Sequence, residues 1–216
     1  MSTAAIPLAT TSPRSVGRPR EFDRNHALEA AMRVFWRHGY EGASLTALTE
    51  AMGISRPSLY AAFVDKAGLF REAVALYGSG PGRYVRRALG QPTAREVAEA
   101  LLRGAAALAT DPAGPGGCLW VQAALVSSAE AAIIRDEMAA LRAGGSVQIQ
   151  GRLEHARREG DLPVHADPAT LTGFIVSLMN GMAVQAANGP GSRGLDRAAL
   201  NRVIDLAMTA WPAKLN

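Results

Sequence analysis

A short stretch at residues 53–63, GISRPSLYAAF, combines a glycine, a proline and hydroxyl-bearing side chains where a helix is predicted to begin. Leu59, Ala62 and Phe63 recur at helical spacing and predict one buried face. The opposite face carries Arg56, Pro57, Ser58, Tyr60 and Ala61. A slim helix face with hydrogen-bonding groups near its N-terminus suits the major groove of DNA, which is about 12 Å wide. A solvated surface helix has the same pattern, so these residues alone leave both interpretations open.

The residues around this stretch predict a helix-turn-helix. Ser44 is positioned to cap a short helix that ends at Gly53, where a glycine permits the positive φ of a tight turn. We expect Ser55 to accept a hydrogen bond from the Ser58 amide, because Pro57 has no N–H to offer. The turn therefore leads directly into the slim helix.

Helical periodicity dominates the chain, and long strand-like alternation is absent. We therefore expect an all-α protein of about nine helices. The first helix is predicted to follow Asp23 as N-cap and to end at Gly39, and Gly144 with Gly145 predicts a bend or break in a long later helix. After the slim helix, further helices are predicted at about 66–77, 93–109, 116–128, 130–158, 168–187 and 195–210.

Composition favours a globular protein, since hydrophobic residues make up 48% of 216 residues. No run of eighteen or more apolar residues is present, so no membrane span is expected. Cys118 is the only cysteine, which excludes an intrachain disulfide and fits a cytoplasmic protein. The net charge of +4 is too small to establish a polyanionic partner. Residues 1–16 lack the features of a signal peptide and are expected to form a disordered tail.

The sequence contains no pattern typical of catalysis. Four histidines, one cysteine and scattered carboxylates form no metal-ligand spacing, phosphate loop or nucleophile elbow. His155 and Glu159, at i and i+4, have the spacing of a base and its orienting partner, but a surface hydrogen bond is the commoner cause. We therefore expect no enzymatic activity, no cofactor and no metal.

The segment HALEAAMRVFWRHGYEGASLTALTEAMGISRPSLYAAFVDKAGLFREAVALY resembles the DNA-binding domain of the TetR family of bacterial transcriptional regulators. The resemblance covers roughly residues 20–77 and includes Phe35, Gly39 and the runs SLTALTEAMGIS, SLYAAF and DKAGLF. It implies an all-α homodimer, in which each subunit has a three-helix DNA-binding head and a larger ligand-binding and dimerisation domain. It also implies a repressor that a small molecule releases from a palindromic double-stranded DNA operator.

Carried over by position, the resemblance implies phosphate contacts from Ser44, Thr46, Tyr60 and Lys66. It implies base contacts from the start of the recognition helix, with these residues facing DNA: Ser55, Arg56, Pro57, Ser58 and Ala61. The sequence departs from the family at Ala61-Ala62, where many members have a histidine-tyrosine pair; a methyl there suits a thymine methyl. Gly68 replaces a helix-favouring residue and predicts a looser start to the fourth helix.

An extended cationic segment, GRPREFDR at 17–24, precedes the head. Arg18 and Arg20 are predicted to lie in a minor groove beside the recognition helix, whereas a solvated charged tail is the alternative. The segment GSGPG at 78–82 is the predicted domain boundary. The resulting division is a tail at 1–16, a head at 17–77 and an effector-binding and dimerisation domain at 83–216.

The C-terminal part resembles family members only loosely. GGCLWVQAAL at 116–125 is similar to the Gly-Cys-Leu segment of one TetR subgroup, which suggests either a redox sensor or a small core residue at Cys118. Methionine and aromatic side chains favour an apolar or aromatic effector. The candidate cavity residues are Cys118, Trp120, Gln122, Met138, His155, Phe174, Met179 and Asn180.

The last two helices carry small and apolar residues on broad faces, which in this family form a four-helix interface between two copies. Burial within one subunit is the alternative. The residues of these faces are Leu171, Phe174, Ile175, Leu178, Gly181, Met182, Gln185, Leu200, Val203, Ile204, Ala207 and Trp211. A ligand-responsive repressor is thus the main hypothesis, and a DNA-binding activator or a ligand-independent regulator is the other one.

Overall fold

The computed structural model describes residues 22–122, 128, 131–187 and 195–212. Within these ranges the chain is all-α, as predicted, with ten α-helices, one 3-10 helix at Pro81–Arg83 and no strand. The α-helices are α1 (Arg24–Gly42), α2 (Leu45–Met52), α3 (Arg56–Phe63), α4 (Lys66–Ser79), α5 (Tyr84–Leu89), α6 (Ala94–Ala109), α7 (Leu119–Gln122), α8 (Ala132–Arg158), α9 (Pro168–Ala187) and α10 (Arg197–Thr209).

The predicted caps of the head helices are present. The Asp23 side chain accepts from two amides at the start of α1, and Ser44 accepts from the amide of Ala47 at the start of α2. Gly53 has φ 65° and ψ 28°, the left-handed conformation that a glycine adopts at no steric cost. Gly39, with φ 68°, interrupts the helical geometry near the end of α1. Local sequence therefore sets the boundaries of these elements.

The head core is built around the aromatic side chains of α1 and α4. Phe35, Phe70 and Tyr77 are fully buried, and the Phe35 and Phe70 rings meet edge to face at 5.0 Å. Ile54 is half-buried against this cluster, as expected for the corner of the turn. The same cluster includes four residues from beyond the predicted domain boundary: Leu119, Ala131, Ile134 and Met138. The division at 78–82 thus remains a prediction about domains, but the head core itself extends across it.

A second core lies among α6, α8, α9 and α10. It buries Leu101 and Leu102 of α6, Leu153 of α8 and Ile204 of α10. Helix α6 begins with a capping box, in which Thr93 and Glu96 satisfy each other's backbone amides. These helices form the larger C-terminal part of the molecule.

Helix α8 joins the two cores. Ile134 and Met138 near its start belong to the head core, whereas Ile149 and Leu153 near its end belong to the second core. The predicted break at Gly144-Gly145 is wrong, because α8 runs without interruption over 27 residues, and a bend there stays a prediction. Each glycine costs a helix about 0.5–1 kcal/mol, and we attribute the continuity of α8 to burial at both of its ends, which offsets that cost.

The connection after α4 contains a helix that the sequence did not predict. Helix α5 and the preceding 3-10 turn occupy 81–89, beginning within the glycine-rich segment 78–82. Gly82 is buried there against the Trp120 ring. A Cβ at this position would come within 2.7 Å of that ring, so the packing requires a glycine. The helix predicted at 116–128 begins later than expected, because residues 116–118 are not helical and α7 starts at Leu119; residues 123–127 lie outside the described ranges.

Helix α9 has an apolar surface that the subunit leaves largely exposed. It carries no charged residue, and an 18-residue window has a mean hydropathy of 1.2 with 22% of the window buried. By length and composition alone it is long and apolar enough to cross a membrane, although no such segment was expected from the sequence. In a globular chain, an exposed apolar surface of this kind is typical of an interface.

Candidate DNA-binding surface and effector cavity

Helix α3 divides into a buried and an exposed face, as its sequence predicts. Leu59 and Phe63 are 0% and 2% exposed and pack into the head core. Tyr60 is 46% exposed, and Arg56, Pro57 and Ala61 are also exposed, whereas Ser58 is half-buried. The surface that the sequence assigns to DNA is therefore available outside the subunit.

Arg56 is held in place before any DNA is bound. Its guanidinium donates to Oγ1 of Thr46 at 2.9 Å, which links the N-terminus of α3 to the first turn of α2. An arginine has five N–H donors, so this contact leaves others for base edges or phosphate. Two residues that the resemblance assigned to DNA thus form one preorganised pair.

The serine hydroxyls of the surface serve as caps. Ser55 Oγ accepts from the Ser58 amide at 3.2 Å and lies 2.9 Å from Ser58 Oγ. Ser44 Oγ accepts from the amide of Ala47 at 3.0 Å. Each hydroxyl retains further hydrogen-bonding capacity, since a hydroxyl is one donor and two acceptors. These serines position the helix ends and remain available for contacts with DNA.

Arg24 fixes the orientation of α3, which the sequence did not indicate. Its guanidinium donates to the Ala62 carbonyl at 3.3 Å, pairs with Glu72 of α4 at 2.7 Å, and lies 4.5 Å from the centre of the Phe63 ring. One side chain of α1 therefore contacts the end of α3 and the side of α4. No spacing rule links these positions, because they are far apart in sequence.

The turn between α3 and α4 is tight. Val64 has φ 66°, a conformation that is strained for a β-branched residue. A Cβ at Gly68 would collide with the Phe63 carbonyl oxygen. Glycine at position 68 therefore permits a close approach of the backbone between α3 and α4, while the looser start of α4 stays a prediction.

Lys66 differs from the extended phosphate ligand that the resemblance implies. It is half-buried, and its ammonium lies 4.7 Å from the centre of the Tyr40 ring. Burial lowers the pKa of Lys66, against an opposing effect of Glu41. A phosphate contact requires this side chain to leave the ring. Arg18 and Arg20 lie outside the described residues.

A cavity of about 520 Å³ lies between the head and the second core. Four candidate residues line it, namely Cys118, Trp120, Met179 and Asn180. Its walls come from the end of α4, the 3-10 turn, α5, α6, α7 and the middle of α8 and α9. This volume lies within the usual range of small-molecule sites.

Cys118 connects the cavity to the head core. The Tyr77 hydroxyl donates to its Sγ at 3.3 Å, and burial raises the pKa of Tyr77, so the phenol stays protonated. The Tyr77 ring also packs edge to face on Trp120 at 5.0 Å. Movement of Cys118 or Trp120 would therefore change a direct contact with Tyr77, a fully buried residue of α4.

Two family models match the chain. Residues 27–73 match the bacterial regulatory proteins of the tetR family, and residues 95–199 match the tetracyclin repressor-like C-terminal domain. The HTH-type transcriptional repressor ComR of Escherichia coli K12 is 32% identical over 211 residues, covering 92% of this chain and 93% of ComR. The chain belongs to the TetR family. It is a transcriptional regulator with a helix-turn-helix DNA-binding head.

Two further similarities agree with this TetR-family assignment. The repressor AcnR of Corynebacterium glutamicum is 26% identical over 192 residues, covering 85% of this chain and 89% of AcnR. A solved structure of a cysteine mutant of the TetR regulator CifR, complexed with 26-bp double-strand operator DNA, is 45% identical with a TM-score of 0.83. The match covers 90% of this chain and 100% of the CifR chain.

Four predicted cavity residues of this TetR-family regulator do not line the cavity. Met138 is 4% exposed and belongs to the head core, and His155 is exposed on the last turn of α8. Phe174 is 40% exposed on α9. Gln122 lies at the end of α7, with its side-chain nitrogen near Gly117. Residue type suggested a cavity position for each, but the direction of its helix face decided otherwise.

The regulator also has cavity residues that the sequence did not suggest. Arg83, Tyr84 and Arg86 lie directly after the glycine-rich break, and Arg142 lies in the middle of α8. The run GRYVRR at 82–87 was a detectable signal, because it places three cations next to the predicted boundary. Nothing in the sequence around Arg142 distinguishes it from the exposed arginines of the same helix.

Proposed function

We propose that this TetR-family regulator is a homodimeric repressor that binds operator DNA through α3 and leaves it when a small molecule occupies the cavity. The observation that carries this proposal is the position of the cavity against α4 and α8. Both helices contribute buried residues to the head core and also line the cavity. A ligand there contacts the two elements on which the head rests.

The roles of the DNA-facing residues follow from their exposure and from the family. Arg56 and its neighbours at the start of α3 read base edges, and Tyr60 with the start of α2 contacts phosphate. Arg18 and Arg20 reach a minor groove from the N-terminal arm. The complete proposed set is Arg18, Arg20, Ser44, Thr46, Ser55, Arg56, Pro57, Ser58, Tyr60, Ala61 and Lys66.

The homodimer is formed by α9 and α10. Phe174, Val184 and Leu206 are 40%, 54% and 73% exposed, and a Cβ at Gly181 would meet no atom within 4 Å. Five residues first considered for this interface are instead buried at 0–6% exposure inside their own subunit: Ile175, Met182, Leu200, Ile204 and Trp211. Dimerisation sets the distance between two heads, which must match half-sites about 34–36 Å apart or a multiple of that spacing.

Release from the operator requires that the ligand favours the subunit conformation that does not fit DNA. The ligand and the operator then weaken each other's binding by the same factor, because the coupling is reciprocal. Helix α8 is suited to carry this coupling, since it is anchored in both cores and crosses the cavity between them. Such a regulator works in the cytoplasm, where the bacterial chromosome lies.

The test uses the full chain and an operator selected from random duplex DNA, with binding measured by fluorescence anisotropy. Compounds found by thermal shift are added to the complex. The variant Gly145→Leu fills a cavity position where a Cβ meets no atom within 4 Å, and Gly151→Leu does the same on α8 outside the cavity lining. We expect Gly145→Leu to bind DNA without responding to the compounds, and Gly151→Leu to respond normally.

Two outcomes would contradict the proposal. Compounds that bind the cavity and leave operator affinity unchanged would exclude release by a ligand and favour a ligand-independent regulator. A promoter fusion whose output falls when the gene is deleted would indicate an activator.

A further inference from the structure

The charged residues of the cavity are all of one sign. Among its described lining residues are Arg83, Arg86 and Arg142, and there is no Asp or Glu. Four described arginines outside the cavity pair with carboxylates, as Arg71 does with Glu137 and Arg103 with Asp205. Within the described part of the chain, no carboxylate lies within ion-pair distance of the three cavity arginines. No carboxylate among the described residues therefore neutralises their charge.

The arginines enter the cavity from separate elements. Arg83 ends the 3-10 turn, Arg86 lies on α5, and Arg142 lies on the middle of α8. Arg142 donates one N–H to the Trp120 carbonyl at 3.3 Å, which steadies its side chain and leaves most of its guanidinium donors for another acceptor. A planar guanidinium matches a carboxylate with two parallel hydrogen bonds.

Neutral donors accompany these cations. The Trp120 indole N–H is buried and has no hydrogen-bond partner among the described residues. Burial raises the pKa of Tyr84, so its phenol stays protonated and can donate. Gln148 and Asn180 complete the polar part of the lining. A buried donor without a partner is costly, and this one belongs to a residue that lines the cavity.

The remaining wall is apolar. Leu108, Val85, Ile149, Val176 and Met179 line the cavity, and Ile149 is 3% exposed. Such a surface gains free energy by covering hydrocarbon or an aromatic ring. The site thus offers cations and donors to one end of a ligand and hydrocarbon to its body.

We propose that the cavity binds an amphipathic organic acid, with its carboxylate at Arg142 and Arg86 and its apolar body against Ile149, Val176 and Met179. A purely apolar or aromatic ligand, which the sequence suggested, would give the guanidinium of the half-buried Arg142 no charged partner. The named ligand class depends on the proposed function, because it takes the cavity as the effector site. Ligand binding is therefore measured separately from DNA release.

The experiment compares two acids with their neutral amides on the full chain by isothermal titration calorimetry. The pairs are decanoate with decanamide and 4-phenylbutyrate with 4-phenylbutyramide, so that only the charge of the head differs within a pair. At least one acid is expected to bind about 10–100-fold more tightly than its amide, the range of a charge-assisted hydrogen bond. Equal affinity within both pairs, or no binding by any of the four compounds, overturns the proposal.

Variants then test which arginines produce the preference for the acid over the amide. Arg142→Met and Arg86→Met are expected to lose most of the preference for acid over amide while they keep the affinity for the amide, which shows that the cavity is intact. Arg142→Lys retains part of the preference. Arg158→Met, on the exposed end of the same helix and outside the lining, leaves the preference unchanged. A full preference in the Arg142→Met, Arg86→Met double variant contradicts the assignment.

Measurements of operator binding distinguish the proposed release by a ligand from the proposed class of that ligand. An acid that binds selectively and leaves operator affinity unchanged refutes release by a ligand but supports the ligand class. Release by neutral compounds alone supports the proposed function and refutes the ligand class.

Discussion

The recognition helix and the cavity are assembled in opposite ways. The DNA-facing surface of α3 comes from Arg56–Phe63, and its cap contacts span three residues. The cavity collects side chains from Ala75 to Ala183, across every helix from α4 to α9. The surface of α3 can be predicted from local residue spacing, whereas the cavity depends on the packing of helices that are distant in sequence. Single substitutions should therefore have separable effects at α3 and shared effects around the cavity.

The two regions also differ in how their arginines are held. Arg56 is held against Thr46 at the surface, where water and DNA are both accessible. Arg142 is half-buried at the cavity beside the Trp120 carbonyl. An arginine at the surface suits a polyanion such as DNA. An arginine at a cavity instead favours a small ligand whose head group carries a negative charge.

The largest expected effect tests whether the C-terminal part governs the head through dimerisation. Val184→Asp places a charge on the exposed apolar face of α9 and should shift the protein toward monomer in sedimentation velocity. Operator affinity should then fall by about 10²–10⁴-fold, because the two heads no longer act as one bivalent ligand. Val164→Asp, at a residue that is 94% exposed between α8 and α9, is the matched control. A dimer that survives Val184→Asp would show that another face pairs the subunits.

The second effect sharpens the comparison at α3 itself. Arg56→Ala should cost about 1–3 kcal/mol per half-site on the selected operator and much less on unrelated DNA. Cavity ligands should bind this variant as they bind the wild type, since Arg56 does not line the cavity. Arg37→Ala, at an exposed arginine of α1, is the control. Unchanged discrimination between operator and unrelated DNA would remove α3 from the reading surface.

Two glycines test how the recognition helix is positioned. Gly68→Ala should lower the free energy of unfolding by about 1–3 kcal/mol, because the added Cβ meets the Phe63 carbonyl. Gly151→Ala should instead raise it by about 0.5–1 kcal/mol, since its Cβ meets no atom within 4 Å in the C-terminal half of α8. Chemical denaturation measures both values. Stabilisation by Gly68→Ala would mean that the turn between α3 and α4 is not closely packed.

The smallest effect concerns the link between α4 and α8. Arg71 donates to both carboxylate oxygens of Glu137 at 2.8 and 2.9 Å, and these hydrogen bonds lower the pKa of Glu137 below its ordinary 4.5. Because the pKa of Glu137 is lower in the folded protein than in the unfolded chain, ionised Glu137 stabilises the fold at pH values above 4.5. That stabilisation is lost as the pH falls through the lowered pKa. Glu137→Gln should thus cost at most about 1 kcal/mol at pH 7, because the pair is exposed, and less at pH 3, where protonation of Glu137 weakens the pair. Equal costs at the two pH values would exclude the ion pair as the cause.

Much of the head was predictable because its signals are local. The caps at Asp23, Ser44 and Ser55 and the turn at Gly53 are interactions within a few residues, and all four are confirmed. The buried positions Leu59 and Phe63 follow from helical periodicity. The exception is Gly68, because the lack of room for a Cβ there depends on the carbonyl oxygen of Phe63, five residues earlier in a strained turn.

The cavity was predictable only in part. Cys118 and Trp120 were predictable because a distinctive segment carries them, whereas Met179 and Asn180 were proposed from residue type alone. Met138 and Phe174 have equally suitable side chains, but one turns into the head core and the other faces outward. Helical spacing tells which residues share a face, and it does not tell which neighbour that face will meet.

The sequence by itself determined the all-α fold, the ends of most helices and the exposed face of α3, because these depend on backbone conformation and apolar spacing within one element. Tertiary structure alone decided that α8 bridges two cores, that Arg24 contacts both α3 and α4, and that three arginines without a carboxylate partner among the described residues line one cavity. Those features are contacts between residues far apart in the chain. They depend on the packing of whole helices, which no local pattern encodes.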